Sequence, residues 1–257
     1  MKIVTLRYFK RHSATSQPFE RLALESVLFS SFMVSMGLWS DEFNLNCTFD
    51  LNFWLHTEQL LNQTNKLPDP FLGVDSPVIG IPIGLLKLLL SIRQLRYDRT
   101  LASSAVLADL RAEISCWEYS IVHSPSPDRP EGDESEDLQS RLTRDVASLY
   151  ILTASILADQ IALGDLETTL PLAHDPDCWK LRRATSILRQ YQDSEAWSKN
   201  FNATIPVYTI GFFMAKCEDI DLVRQDLQCR WEYTKFGHTL LCCNDLEATW
   251  AKRGYGR

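Results

Sequence analysis

The residue types that most often carry chemistry in proteins are dispersed along this sequence. Its seven cysteines include no pair with the CxxC spacing that would place two thiolates on one zinc ion. Cys242 and Cys243 are adjacent, as in some redox pairs, but we interpret them as one buried cysteine and its neighbour on a helix. The odd number of cysteines and the absence of a secretory signal pattern favour free thiols in a reducing compartment.

Histidines and carboxylates form no convincing cluster either. The five histidines are scattered, and neither HxxxH nor HExxH occurs. We interpret the segment from His174 to Asp177 as a loop that leads into a helix, and Asp69 and Asp75 as turn and cap residues. His238 is expected to cap or pack at a turn. Nucleophile-elbow, phosphate-loop and dinucleotide-binding motifs are all missing. The sequence therefore predicts no catalytic residue, no metal site and no cofactor.

Composition and charge restrict the partners of the chain. Hydrophobic residues make up 45% of the sequence and charged residues 23%, which is typical of a folded globular protein. The net charge is −7 and basic residues alternate with acidic ones, so we expect no direct DNA binding. The longest apolar run, Val78 to Leu90, is too short and too interrupted to cross a membrane. We also expect no glycosylation at the sequons of Asn46, Asn62 and Asn202.

The apolar residues recur at helical spacing in every long segment, which predicts an all-α fold of packed antiparallel helices in one domain over residues 1–257. A proline-rich loop is expected at 66–77 and a flexible acidic, proline-rich loop at 124–137. Asp98 is expected to cap the fourth helix. The expected helices before the C-terminal third span residues 19–37, 49–61, 78–95, 98–122, 138–163 and 179–191.

The C-terminal third shows the clearest pattern. An apolar helix is expected from Pro206 to Cys217, and Gly211 in its middle indicates a close helix–helix contact, because a glycine inside a helix costs about 1 kcal/mol against alanine. Gly237 is expected to end the helix that follows, and Trp231 and Trp250 to share one core. Two apolar stripes support these helices: Ile220, Val223, Leu227 and Trp231, then Leu240, Cys243, Leu246 and Trp250.

This stretch, residues 206–254, resembles the C-terminal signature of the second major family of fungal-specific transcription factor domains. That signature has a proline before an apolar run with a central glycine, an acidic helix, a Phe-Gly turn and a helix that ends in E-x-x-W. The matching residues are Pro206, Gly211, Cys217, Phe236, Gly237, Glu247 and Trp250. Upstream, DPFLG at 69–73 and PFERLALESVLF at 18–29 resemble two further elements of the family.

The resemblance implies a helical, nuclear domain that regulates transcription without enzymatic activity. Its partners would be the transcription machinery or a zinc-cluster transcription factor, a homodimer is an allowed state, and some relatives bind an apolar, lipid-like molecule. The six-cysteine zinc cluster of full-length members does not occur in this sequence. An alternative hypothesis is a helical receptor for a small molecule with a non-transcriptional output. A third hypothesis is an enzyme with an apolar pocket, but no group of residues in the sequence supports it.

Overall fold

Helices account for most of the described part of the chain. The computed structural model describes residues 18–39, 51–63, 78–98, 101–123, 138–163, 175 and 177–255. Within these residues there are ten α-helices packed against each other and no β-strand, which confirms the predicted all-α fold. The helices are α1 (Pro18–Met36), α2 (Leu51–Gln63), α3 (Ile83–Tyr97), α4 (Ser104–His123), α5 (Leu138–Leu163), α6 (Trp179–Gln190), α7 (Glu195–Lys199), α8 (Thr204–Gly211), α9 (Cys217–Thr234) and α10 (Gly237–Lys252), with a 3-10 turn at Phe201–Ala203.

Helix α5 lies at the centre of the fold and contacts α3, α4, α6 and α8. Its middle part is buried on almost every side, because Ala, Leu, Ile and Val follow one another there with few polar interruptions. Tyr150 of α5 is fully buried, and its hydroxyl donates a hydrogen bond of 3.0 Å to the carbonyl oxygen of Asn202. A helix that is apolar all round thus serves as the core against which the other helices pack.

By length and apolar composition, α5 also meets the criteria for a helix that could cross a membrane. However, 78% of its most apolar stretch is buried inside the protein. The central helix of a folded helical domain meets the same two criteria, so they do not by themselves indicate a membrane span.

Two of the predicted helix boundaries are wrong. The third helix begins at Ile83 rather than at Val78, because Gly80 has a positive φ of 62° and Pro82 is the N-cap. Asp98 does not cap the fourth helix; its N–H donates to the carbonyl oxygen of Gln94 and closes α3. The N-cap of α4 is Ser103, whose hydroxyl accepts a 3.3 Å hydrogen bond from the N–H of Val106.

The short α8 and the start of α10 also differ from expectation. Helix α8 ends at Gly211, so this glycine closes the helix instead of interrupting its middle, and Cys217 begins the next helix. Lys235, with a φ of 50°, closes α9, while Gly237 is the first residue of α10 rather than a terminator. The predicted loops at 66–77 and 124–137, with Asp69, Asp75 and His174, lie outside the described residues.

Candidate functional site

Helices α9 and α10 are antiparallel and are connected by a tight turn. In the described part of the chain, they form the surface that we consider the candidate functional site. Acidic Glu218 and Asp219 occupy the first turn of α9, where negative charge is favourable beside the exposed backbone N–H groups. At the other end, the left-handed conformation of Lys235 reverses the chain within two residues. The two helices are therefore held side by side along their length, and they contact each other extensively.

Gly211 permits the close packing of α8 against this pair. A Cβ atom at this position would lie 2.8 Å from Cδ1 of Leu246 and 3.2 Å from Cγ1 of Val223, both of which are fully buried. The carbonyl oxygen of Gly211 accepts a 3.0 Å hydrogen bond from Nε1 of Trp250. This confirms the predicted close contact at Gly211, and it gives the buried Trp250 a partner for its only polar atom.

Arg224 links the two helices at the surface. Its Nε and Nη2 atoms donate to the carboxylate of Glu247 at 2.5 and 3.1 Å, and it also pairs with Asp221. The guanidinium lies 5.2 Å from the centroid of the Trp250 ring. The bond to Glu247 raises the pKa of Arg224 above its ordinary value, so this planar group is permanently charged and fixed in orientation.

An open groove runs along α9 and α10 above these contacts, with a volume of about 570 Å³. Its lining includes the apolar side chains of Leu227, Leu240, Leu246 and Trp250 between rows of polar groups. The polar and charged lining residues are Asp221, Arg224, Gln225, Gln228, Glu232, Asn244 and Glu247. The groove thus combines an apolar strip with charges of both signs, three carboxylates against one guanidinium.

Two thiols that line the groove are poor nucleophiles. Burial, followed by the nearby carboxylate of Glu247, raises the pKa of Cys243 to about 11. Burial and the neighbouring Glu232 raise the pKa of Cys229. Because the thiolate is the reactive form, both groups stay protonated and unreactive near neutral pH. The chemistry that this lining offers is therefore recognition by hydrogen bonds, charge and apolar contact.

The turn beyond the groove exposes large apolar side chains. We call Tyr233, Phe236, Leu240 and Leu241 the turn cluster; their exposed fractions are 50%, 41%, 38% and 52%. Leu240 belongs to both the turn cluster and the groove. Next to it, His238 is half-buried, its Nδ1 lies 3.4 Å from Sγ of Cys242, and burial lowers the pKa of its imidazole. Exposed apolar side chains that follow closely along one turn of the chain, as here between residues 233 and 241, are a feature of protein-binding surfaces.

A buried ion pair holds the other side of α9. The guanidinium of Arg230 is fully buried and donates to Asp226 at 2.6 Å and to the carbonyl oxygen of Trp197 at 3.1 Å. Nε1 of Trp197 also donates to Asp226 at 2.5 Å, and its ring stacks on Tyr191 at a centroid distance of 4.7 Å. Asp226 therefore receives donors from two elements, which fixes α7 and the turn after α6 against α9.

A second group of polar contacts joins the segment after α1 to the C-terminal helices. The hydroxyl of Tyr208 in α8 donates to Asp245 of α10 and accepts a 2.8 Å hydrogen bond from the backbone N–H of Trp39. Nε1 of Trp39 donates to Oγ1 of Thr209 at 3.1 Å, and the guanidinium of Arg93 lies 4.7 Å from the Trp39 ring centroid. The groove helices are thus tied to the rest of the domain rather than attached by α8 alone.

The residues of the predicted family signature fall into two groups. Gly211, Glu247 and Trp250 come together around Arg224 and Leu246, while Pro206 lies in the first turn of α8, where a missing N–H costs nothing. Phe236 and Gly237 lie at the turn, about 20 Å away by the rise of α10. No atom of the described residues lies within 4 Å of a Cβ built on Gly237, so packing does not require glycine there.

Other sequence expectations have mixed outcomes. Trp231 does not share the core with Trp250: it is half-buried, with Nζ of Lys235 5.5 Å from its ring centroid, while the adjacent Arg230 is buried instead. The sequence signal that could have indicated a buried Arg230 is the spacing of Asp226 and Arg230, which are four residues apart on one helix. Asn202 and Thr204 of one sequon are buried, consistent with an unmodified side chain.

In the loop before α6, the structure describes Asp175 and Asp177 and shows a turn between them. The N–H of Asp177 donates to Oδ1 of Asp175 at 2.9 Å, a local turn bond, and the Asp177 carboxylate pairs with Lys216. Cys242 is buried and Cys243 half-buried, and both are free thiols, as expected. Among the described residues, no group of three or more histidine, cysteine, aspartate or glutamate side chains is arranged to hold a metal ion.

Comparisons of the chain with models of protein families, with curated proteins and with solved structures find no match.

Proposed function

We propose that this chain is a regulatory module that acts by binding another protein through the groove and the turn cluster, with transcription as its output. The observation that carries the proposal is the continuity of the two surfaces: Leu240 lines the groove and also belongs to the exposed turn cluster. Aromatic and aliphatic anchors beside polar groups are the usual centre of a protein interface. The transcriptional output, and nuclear localisation with it, rest on the resemblance to fungal transcription factor domains.

The partner in this proposal is a protein rather than DNA or a lipid-like molecule. Three carboxylates face one guanidinium in the groove, and the sequence carries a net charge of −7, so a phosphate backbone is repelled. A lipid-like ligand requires an enclosed apolar cavity, whereas this groove is open and seven of its thirteen lining residues are polar or charged. The transcription machinery, a zinc-cluster transcription factor and a second copy of the chain are all protein partners of the required kind.

The test is a reporter assay in fungal cells, with the chain fused to an unrelated DNA-binding domain. We expect the fusion to raise or lower reporter output relative to that domain alone, measured on both a silent and an active promoter. The double variant Tyr233→Ser/Leu241→Ser should abolish the effect, because it removes two exposed anchors of the turn cluster. A matched control, Tyr119→Ser/Trp179→Ser, changes two exposed aromatics on α4 and α6 and should keep the effect.

Each arm of the assay can overturn part of the proposal. Equal output from the fusion and the DNA-binding domain alone on both promoters would reject a transcriptional role. An unchanged effect in the Tyr233→Ser/Leu241→Ser variant would reject the turn cluster as the binding surface. Thermal unfolding of each purified variant shows whether lost output comes with a lost fold.

A further inference from the structure

The walls of the groove have the spacing of a receptor for a helix. Asp221, Gln225, Gln228 and Glu232 are exposed and follow one another at intervals of four, three and four residues, so they form one row along α9. On α10 the opposite wall is formed by Leu240, Cys243, Asn244 and Glu247, again at helical spacing. Leu227 and Leu246 are buried between these rows. The two rows flank a trough into which a third helix can pack, and its accessible apolar side chain is Leu240.

The charge of the trough selects its occupant. Asp221 and Glu247 already hold Arg224, yet their side chains remain 63% and 40% exposed, so oxygen atoms stay accessible to further donors. Glu232 lies farther along the same wall and is exposed as well. With Arg224 engaged by two carboxylates, the groove has an excess of acceptors and of negative charge. An acidic segment would be repelled, and a basic one attracted, along the full length of the wall.

We infer that the groove binds a basic amphipathic helix of a partner protein. This inference rests on the proposed protein-binding function and names the chemistry of the partner. A leucine-like side chain on one face of that helix contacts Leu240, which is 38% exposed, and lysine or arginine side chains on its flanks pair with Asp221 and Glu232. The distance from Asp221 to Glu232 along α9 is about 16 Å, which corresponds to roughly three turns of the bound helix.

Purified full-length chain and synthetic peptides test this inference directly. The probe is a fluorescent helix of about 16 residues made of leucine and lysine, with leucine at positions i, i+3, i+4 and i+7. Two comparison peptides have the same leucines with glutamate for lysine, and the same leucine–lysine composition in scrambled order. Binding is measured by fluorescence anisotropy at physiological salt, where general charge attraction is screened. We expect the ordered leucine–lysine helix to bind at least about tenfold more tightly than either comparison peptide, a difference of roughly 1.4 kcal/mol.

Variants of the wall make the test specific to the groove. Asp221→Asn/Glu232→Gln should weaken binding of the leucine–lysine helix about tenfold or more, because it removes both flanking charges while Glu247 still holds Arg224. Asp109→Asn/Glu113→Gln removes the same number of charges from α4 and should leave the affinity within about twofold. Equal losses in the two variants, or equal binding of the ordered and scrambled peptides, would overturn the inference.

The outcomes separate this inference from the proposed function. If the Tyr233→Ser/Leu241→Ser variant loses reporter output while Asp221→Asn/Glu232→Gln keeps it, and the basic peptide does not bind, then the turn cluster binds a protein and the basic-helix partner is rejected. If the peptide binds selectively and no reporter responds, the basic-helix site stands and the transcriptional output is rejected. Selective binding of the glutamate peptide would show that the groove binds a helix but would reject a basic partner.

Discussion

The helices around α5 and the helices around α9 are stabilised by different kinds of contact. The middle of α5 buries Leu149, Ile156 and Leu157 with no exposure at all, mainly among other aliphatic side chains. Helix α9 buries a charged group, Arg230, against Asp226. Apolar packing responds mainly to volume, whereas a buried ion pair also depends on the direction of each donor and acceptor. Tolerance to substitution should therefore differ between the two regions.

The two regions also differ in whether they carry the candidate binding surface. Helix α5 is enclosed by its neighbours, while α9 is buried on one face and presents its opposite face to the groove. A helix that carries a binding surface has fewer buried apolar contacts per turn, so directional contacts must fix its position. The bond from Nε1 of Trp197 to Asp226 and the bond from Arg230 to the carbonyl oxygen of Trp197 supply such contacts. Four substitutions can break or sharpen this comparison.

Trp250→Ala should have the largest effect, a loss of about 3–5 kcal/mol in the free energy of unfolding. The indole is only 1% exposed, and its removal leaves a cavity and also leaves the carbonyl oxygen of Gly211 without this donor. Urea unfolding of purified variants measures the change. Trp179→Ala, at a tryptophan that is 56% exposed on α6, is the matched control and should change the unfolding free energy little. A Trp250→Ala protein as stable as the parent would show that the C-terminal helices do not depend on this core.

Arg230→Met should cost about 3–5 kcal/mol, because Asp226 is left buried without its main counter-charge. In α5, the comparably conservative Leu157→Met should cost less than about 1.5 kcal/mol, since it nearly preserves side-chain volume. Adding Asp226→Asn to Arg230→Met should recover part of the loss by removing the unpaired charge. Urea unfolding of the three variants and the parent gives the values. Similar costs at Leu157 and Arg230 would remove the distinction between the two regions.

The sequence could predict the region around α5 far better than the region around α9. Both ends of α5 were predicted correctly from its aliphatic residues, because the helical pattern is uninterrupted from Leu138 to Leu163. Near α9, the helical period placed Trp231 in the core, but burial was decided by the partner of Arg230 four residues away. The turn was misassigned because Lys235, not a glycine, adopts the left-handed conformation.

The groove itself could be predicted only in part. The polar spacing from Asp221 to Glu232 is visible in the sequence as an exposed face of a helix. Which helix lies beside it is a matter of tertiary packing, and the contact of α8 with α9 and α10 depends on the absence of a side chain at Gly211 and on the position of Leu246. The sequence indicated the close contact at Gly211 but not the partner residues or the open trough above them.

Gly211→Ala should cost about 1–3 kcal/mol, because the new methyl group would lie 2.8 Å from Cδ1 of the buried Leu246. Gly237→Ala is the matched control, since a Cβ there meets open space at the start of α10; it should be neutral or stabilising by up to about 1 kcal/mol. Thermal unfolding compares the two. Leu246→Val in the Gly211→Ala background should recover part of the cost by restoring space. If both glycine variants behave alike, close packing at Gly211 does not hold α8 against the groove helices.

The smallest expected effect is a change in pH dependence at the turn cluster. Burial lowers the pKa of His238 in the folded protein below its ordinary value of about 6.5, so the unfolded chain binds more protons than the folded one between the two values. The free energy of unfolding should consequently fall as the pH drops below about 6.5, with a slope of at most about 1.4 kcal/mol per pH unit, and level off below the folded pKa. His238→Gln should reduce this slope in urea unfolding of the variant and the parent, measured between pH 7.5 and 5.5. Because His238 lies on the groove helix α10 beside Cys242, a reduced slope would place a proton-linked contact in the α9–α10 region. Identical slopes in the variant and the parent would mean that the imidazole is solvated in the folded state and that the turn is more open than its contacts with Phe236 and Cys242 indicate.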